Sequence, residues 1–181
     1  MKARLLIISI IFLSAQQLHA QEYGYNTVDV GAGFKAPTNS MIFGLHLAAN
    51  AKIHSGFHAL IGYNKIRSND AGKHTLEEGG GPGIAIGYRY YIKVRPYGFF
   101  IGAGTDLWHL KIDWHDLGSN GTTKTWALIP QAEIGYMILI NDLFFISPSI
   151  GVGSQSNFGT QGEVVGDGFR FIPGISAGWK F

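Results

Sequence analysis

Six charged side chains recur in the same sequence context, in which small residues occupy the neighbouring alternate positions. The residues two positions away from each charge are mostly Gly, Ser or Ala, and the residues directly beside it are mostly large and apolar. Acidic and basic groups on one narrow, buried face can form ion pairs, because a lone charge there is costly and a paired one is tolerated. The sequence therefore predicts an internal ion-pair network made of Asp29, Arg89, Asp106, Glu133, Arg170 and Lys180.

Histidine and acidic residues also cluster in the segment HLKIDWHD. His109 and His115 lie close in sequence to Asp113 and Asp116, and imidazole and carboxylate groups are common ligands of divalent metals. The spacing matches no established metal-binding motif, so a solvated loop is the preferred interpretation. We predict no metal site and no cofactor for this chain.

Strand-like patterns position all of these residues. After Gln21 no stretch keeps a helical period of 3.6, and alternation with a period of two recurs between Gly, Asn, Asp and Pro. The predicted strands are 27–34, 41–49, 56–64, 83–93, 97–108, 125–138, 143–155 and 168–181. The alternation fades from Trp108 through Asp116, where a bulge or a projecting hairpin would explain it.

The connections between the strands alternate in length. Those around 50–55, 94–96 and 140–142 are short, whereas 68–82, 113–124 and 156–167 are longer, polar and rich in Gly; only KAPTNS, after the first strand, breaks the rule by being short. Short turns at one end and longer loops at the other are typical of an outer-membrane barrel, in which the turns face the periplasm.

The direction of the alternation distinguishes a soluble barrel from a membrane barrel. A soluble barrel would turn its bulky face inward and need a polar exterior, yet the second face here is mostly Gly, Ser and Ala. Small residues suit the narrow lumen of eight strands, and Arg or Lys facing lipid at the midplane would cost about 2–4 kcal/mol. We therefore predict an all-β, eight-stranded antiparallel up-and-down transmembrane β-barrel over residues 21–181.

Heights along the predicted barrel divide the charges into groups. Asp29, Arg89 and Glu133 are expected in the periplasmic half, with Asp106 and Arg170 sharing a height above them. His46 and His58 are expected on the lumen side. Aromatic residues cluster beside the short turns and the C-terminus, as in an interfacial girdle: Tyr88, Tyr90, Tyr97, Phe99, Tyr136, Phe144, Trp179 and Phe181.

Composition and the first twenty residues support an exported membrane protein. Lys2 and Arg4 precede the apolar run LLIISIIFL and a small residue at Ala20, which predicts a secretory signal peptide over 1–20, with cleavage after Ala15 as an alternative. Without those two basic residues the chain is formally neutral, so no nucleic-acid partner is expected. Charged residues make up only 14% of the chain, against about 25% in soluble domains, and without cysteine neither a disulfide nor a lipoprotein anchor is available.

The signal peptide, the eight strands and the terminal GISAGWKF resemble the small outer-membrane β-barrels of Gram-negative bacteria, the OmpA-barrel, OmpX and opacity-protein class. The resemblance covers the whole mature chain. It implies localisation in the bacterial outer membrane, with outer-membrane lipid and lipopolysaccharide as surroundings. It also implies that the outer-membrane assembly machinery reads the last strand, the matching positions being Ile175, Ala177, Trp179 and Phe181.

That class contains adhesins, structural proteins, narrow channels and enzymes on one scaffold, so function must come from the residues. We predict a structural or surface-interaction role, with a plugged polar lumen and Gly-rich loops that face an extracellular ligand. A gated channel for small solutes is an alternative use of the same charges. A lipid A-modifying enzyme is less favoured, because GSQSNFG only faintly resembles the His-x-Ser-Asn segment of lipid A deacylases. Ser154 replaces the histidine base beside Ser156, so we predict no enzyme activity.

Overall fold

A computed structural model describes residues 26–50, 54–69, 73–93 and 96–181, so the predicted signal peptide lies outside the described residues. The described residues form eight strands: β1 Thr27–Lys35, β2 Ser40–Asn50, β3 Ser55–Asn69, β4 Leu76–Tyr91, β5 Gly98–Asp116, β6 Ser119–Ile140, β7 Phe144–Gln161 and β8 Gly168–Lys180. Each strand pairs antiparallel with the next, and β1 pairs with β8 from Asp29↔Lys180 to Lys35↔Gly174. The sheet is a closed barrel, which confirms the predicted fold class.

No helix among the described residues has the length and apolar character needed to cross a bilayer.

The alternation along the strands has the predicted direction. In β8, Phe169 and Trp179 are exposed on the outer surface, whereas Ile172, Ser176 and Lys180 are buried inside the barrel. Because side chains alternate across a strand, the same division holds along the wall. The outer surface is thus a band of large apolar residues, as a barrel in contact with lipid requires.

The strands extend well beyond the predicted ends on the side of the longer connections. β5 and β6 pair residue by residue as far as Asp116↔Ser119, which leaves a turn of Leu117 and Gly118. The predicted loop 113–124 is therefore a projecting hairpin, and the irregularity lies in the pairing of β6 with β7 between Lys124 and Trp126. Predicted loop 68–82 is also largely strand among its described residues, because β3 ends at Asn69 and β4 begins at Leu76, and β7 takes the first half of 156–167, since it ends at Gln161.

The inner and outer faces of β5 exchange polar and apolar character along the strand, which explains why the sequence pattern did not predict its last part as strand. Its outward positions are largely apolar from Phe99 to Leu107 but polar from His109 to His115. Its inward positions change in the opposite sense, from Gly102 and Gly104 to the buried side chains of Trp108, Leu110, Ile112 and Trp114. An apolar face turns outward where the surroundings are lipid and inward where they are water. The change at Trp108 and His109 marks the outer edge of the lipid-facing band.

Aromatic pairs line the opposite end of the band, beside the short turns. Ring centroids lie 5.4 Å apart for Phe99 and Tyr136, and 5.8 Å apart for Phe144 and Trp179. The nearby turn between β6 and β7 is tight, since Asn141 and Asp142 have φ angles of 54° and 55°, which these two residue types tolerate. This arrangement is typical of a membrane-interface girdle.

Candidate functional site

An ion pair crosses the barrel interior from wall to wall. β1 and β5 are four strands apart in either direction around the ring, so they lie on opposite sides of the lumen. Lys35 at the end of β1 donates from Nζ to both carboxylate oxygens of Asp106 on β5, at 3.0 and 3.2 Å. Gln131 donates to the same carboxylate. Asp106 is fully buried. Its charge is therefore compensated inside the barrel by these two partners.

A second ion pair passes over a glycine. Arg89 on β4 and Glu133 on β6 both lie in register with Gly102 on the strand between them. Arg89 donates from Nε and Nη2 to the two carboxylate oxygens, at 2.7 and 3.3 Å. A Cβ atom at Gly102 would lie 3.0 Å from Glu133 Cγ. The missing side chain at this position thus leaves room for the pair, and Arg89 also packs over the Phe100 ring, 4.4 Å from its centroid.

The third ion pair joins the two strands that close the barrel. Lys180 on β8 lies directly opposite Asp29 on β1 and donates to its carboxylate at 2.5 Å. Asn50 donates to the other carboxylate oxygen at 3.1 Å and to Thr27 at 3.0 Å. A charged pair therefore lies at the closing seam, near the end with the short turns.

Arg170 is the one predicted member without an acidic partner within 4 Å in the described part of the chain. Its Nε donates to the Gln155 side chain at 3.3 Å, while Asp106, expected at the same height, binds Lys35 instead. The strands of a barrel are staggered by its shear, so equal distances along two strands do not mean equal heights. The predicted shared height of Asp106 and Arg170 therefore does not bring these two side chains together.

Sequence reasoning missed Lys35 because the predicted first strand ended at Phe34. The signal was present, since Lys35 continues the alternate positions of Asp29, Gly31 and Gly33. No such signal identifies Gln131 as the second hydrogen-bond donor to Asp106, because that contact depends on which residues face each other inside the lumen.

Apolar clusters fill the interior above and below these ion pairs. Next to the short turns lie the buried side chains of Tyr91, Phe100, Met137 and Phe145. Towards the other end lie Trp108, Leu110, Ile112, Trp114 and Ile129, with Val165 from the β7–β8 connection buried among them. Gly83 makes room for this cluster, because a Cβ atom there would lie 2.5 Å from the Trp108 ring.

A polar cavity lies between the two clusters. His46 and His58 lie on the lumen side, as predicted, with ring centroids 6.1 Å apart. His58 Nε2 is 3.8 Å from a Glu133 oxygen. The cavity is lined by Gly33, Phe34, Lys35, His46, His58, Leu60, Arg89, Ser149, Gly174, Ile175 and Ser176. Polar atoms buried around it without a protein partner in the described residues include His46 Nε2, His58 Nδ1, Arg89 Nη1 and Ser176 Oγ.

A buried carboxylate holds two connections together at the end of the barrel with the longer connections, which is called the outer mouth below. Glu77 at the start of β4 is 4% exposed, and it accepts hydrogen bonds from the backbone N–H of Lys73 at 3.0 Å and of Gly166 at 3.2 Å. Lys73 belongs to the β3–β4 connection and Gly166 follows Val165 in the β7–β8 connection. Glu77 therefore holds the segment that inserts Val165, although its importance was not apparent from the sequence.

The residues of HLKIDWHD do not converge on one point. His109 packs against Trp126 with ring centroids 4.7 Å apart, and Asp113 accepts a hydrogen bond from Thr122. Asp116 instead accepts hydrogen bonds from His74 at 2.7 Å and from the Thr75 amide at 2.8 Å. The His74 hydrogen bond, assisted by the amide, lowers the pKa of Asp116 below its ordinary value. Across the described ranges, no group of three His, Asp or Glu side chains is arranged to hold a metal ion.

The weak nucleophile motif lies on the outside of the wall. Ser154 and Ser156 are exposed on β7. Their register partners are Phe169 on β8 for Ser154 and Leu128 on β6 for Ser156. Neither partner is a histidine, so the pairing supplies no general base to either hydroxyl.

The C-terminal strand presents the predicted assembly positions on the outer surface. Ile175, Trp179 and Phe181 are exposed, and Ala177 shares their face. Phe181 also completes the sheet, since its N–H donates to the Val28 carbonyl at 2.8 Å and its carbonyl accepts from the Val28 N–H at 2.9 Å. The terminal residue is thus bound to the first strand.

Comparison with known proteins identifies the fold. No protein-family model and no curated protein sequence matches the chain. The N-terminal β-barrel domain of Pseudomonas aeruginosa OprF matches with 16% identity and a TM-score of 0.51, over 87% of this chain and 99% of that domain. Ail, the attachment invasion locus protein of Yersinia pestis, matches with 11% identity and a TM-score of 0.53, over 86% of this chain and 97% of Ail. The chain has the fold of the eight-stranded outer-membrane β-barrel proteins, as its sequence predicted.

Proposed function

We propose that this protein is an integral barrel of the bacterial outer membrane with a structural or surface-interaction role and a lumen that is closed to solutes. The apolar outer band, bounded by aromatic residues at the end with the short turns, supports insertion in the membrane. The three internal ion pairs are proposed to fill the lumen rather than to conduct ions.

The observation that carries the closed lumen is the burial of Val165 among Trp108, Leu110 and Ile112. An apolar side chain packed at the outer mouth opposes the passage of water and ions, because polar solutes must be desolvated to pass it. Glu77 holds the neighbouring Gly166 amide, so the connection is fastened at the point where it enters.

Single-channel recording in planar bilayers tests this proposal. The purified protein should show no discrete openings. The double variant Val165→Gly, Glu77→Gln should increase the quenching of tryptophan fluorescence by acrylamide, because the side chain inserted beside Trp108 and its fastening are both lost. Val164→Gly is the matched control, since Val164 is exposed in the same connection. Discrete openings of the unmodified protein would contradict the closed lumen.

A narrow channel is the second candidate, and the polar cavity around His46 and His58 favours it. A channel would require the ion pairs to exchange partners and to open a continuous path through the barrel. Glu133→Gln would then change the conductance, because it removes the anion that Arg89 binds. Unchanged, near-zero conductance in this variant would exclude the gate.

The surface role is proposed for the hairpin formed by the upper parts of β5 and β6. Its tip carries a fully exposed Leu117 above a wall of outward polar residues, and exposed apolar residues at such positions can anchor a partner. Ail, whose name describes attachment and invasion, shares the fold, which supports a test of adhesion. Leu117→Ser should reduce the binding of whole cells to host proteins or to neighbouring cells. Equal amounts of the two proteins on the cell surface are the control.

A further inference from the structure

Three lysines lie in one row across the outside of the barrel. Lys65 on β3 pairs with Gly80 on β4, Gly80 pairs with Lys111 on β5, and Lys111 pairs with Lys124 on β6. All three lysine side chains are exposed on the outer face. Neighbouring strands are about 4.8 Å apart, so this lysine row concentrates three positive charges along four adjacent strands.

The lysine row lies directly above the edge of the lipid-facing band. Two residues closer to the membrane, the same strands carry Tyr63, Pro82, His109 and Trp126, followed by Phe158 on β7. Tyr63, Trp126 and Phe158 are exposed aromatic side chains, which favour the boundary between apolar lipid and polar headgroups. The next outward positions towards the membrane are apolar, namely Ile61, Ile84, Leu107 and Leu128. The lysines therefore lie at the level of the lipid headgroups.

The lysine row has too little negative charge around it. Lys111 and Lys124 are directly opposite each other in an antiparallel pair, where like charges are destabilising. Within the described part of the chain, no carboxylate lies within ion-pair distance of any of the three lysines. The next row towards the loops contains Arg67, Glu78 and Asp113, and Asp113 already accepts a hydrogen bond from Thr122. An external anion would relieve the repulsion.

Gly80 separates Lys65 from Lys111 in the row. It has no side chain between Lys65 and Lys111, and a Cβ atom there would lie 2.8 Å from Tyr63 Cε1. The Tyr63 ring thus lies against the glycine on the membrane side. Gly80 is itself buried, so an anionic group would bind over the covered glycine, between the ammonium groups of the two flanking lysines.

We propose that the lysine row binds the phosphate groups of a phosphorylated glycolipid of the outer leaflet, the lipid A part of lipopolysaccharide. Lysine ammonium groups bind phosphates as point charges, and clustered basic residues beside a membrane attract anionic headgroups. The position favours a lipid over a soluble polyanion, because the row borders the apolar band instead of the hairpin tip. This inference rests on the proposed outer-membrane location but on neither the closed lumen nor the adhesive hairpin.

The test compares the triple variant Lys65→Gln, Lys111→Gln, Lys124→Gln with the double variant Lys73→Gln, Lys93→Gln. Lys73 and Lys93 are exposed lysines outside the row, so they control for the loss of positive charge. Folding of every variant is checked by the slower migration of unfolded barrel after heating. Binding of diphosphorylated lipid A, of chemically dephosphorylated lipid A and of soluble heparin is then measured by native mass spectrometry in detergent micelles.

We expect the unmodified protein and the control to retain diphosphorylated lipid A, and the folded triple variant to bind it at least tenfold more weakly. Dephosphorylated lipid A should not distinguish the three proteins. Equal retention of diphosphorylated lipid A by the triple variant would overturn the proposal. Tighter binding of soluble heparin than of lipid A, lost in the triple variant, would assign the row to a polyanion and would also overturn it. Either result leaves the conductance and adhesion tests unaffected.

Discussion

Lys35 and Asp106 join opposite walls of the barrel through an ion pair of 3.0 Å that spans the lumen. The two residues are 71 positions apart in the chain, and each strand lies as far from the other around the ring as the fold allows. The contact therefore exists only when the barrel is closed. The ion pair contributes to the free energy of unfolding only in the closed barrel.

Replacing one member of this pair should be more damaging than replacing both. Asp106→Asn leaves the Lys35 charge without its counter-ion, which should lower the free energy of unfolding by about 3–5 kcal/mol. Lys35→Met combined with Asp106→Leu removes both charges and should cost less. Urea unfolding in lipid vesicles, followed by tryptophan fluorescence, measures both. Glu78→Gln is the control, since Glu78 is an exposed carboxylate; equal costs for the single and double variants would contradict the prediction.

The second ion pair should depend on the absence of a side chain at Gly102. Gly102→Leu would push Glu133 away from Arg89, because a Cβ atom already approaches Glu133 within 3.0 Å. We expect a loss of about 1–3 kcal/mol in unfolding free energy, typical of an overpacked interior. Ala103→Leu places a leucine on the same strand but on the lipid side, and it should have little effect. A similar loss in both variants would show that the strand, and not the ion pair, is sensitive.

Deletion of Phe181 should lower the amount of protein in the outer membrane more than the stability of the folded barrel. Phe181 contributes two backbone hydrogen bonds with Val28, at one end of a sheet with many others. The assembly signal that the sequence resemblance implies for Phe181 would act before the barrel is folded. Quantitative blotting of the outer-membrane fraction and urea unfolding of refolded protein measure the two effects. Equal abundance with and without Phe181 would contradict the assembly role.

The carboxyl group of Asp116 should titrate below an ordinary aspartate, whose pKa is about 3.9. The hydrogen bond from His74, followed by that from Thr75, stabilises the carboxylate and lowers its pKa. The resulting stabilisation is complete above the ordinary pKa and is lost as the pH falls through the lowered one. Carbon-detected NMR titration should give a midpoint below about 3.9, which His74→Phe should raise. An unchanged midpoint in His74→Phe would assign the shift to other groups.

Local alternation was sufficient to predict the fold. The outward Trp179 and Phe181 and the inward Lys180 follow from a period of two, and that period is a property of the extended chain itself. The number of strands and the direction of the two faces followed for the same reason. The same local rule failed above Trp108, because the apolar face there points inward while the period continues. The strands were consequently predicted too short at the end of the barrel with the longer connections.

The partners of the charges could not be predicted to the same extent. Asp29 and Lys180 are adjacent across the closing seam, and Arg89 reaches Glu133 only because Gly102 lies between them. Arg170 meets Gln155 as a diagonal neighbour on the adjacent strand, whereas Lys35 meets Asp106 across the lumen because of the stagger of the strands. A sequence specifies which side of its own strand a residue occupies, since this depends on neighbouring bonds. Closure and shear decide which distant side chains share the lumen, since these depend on all eight strands together.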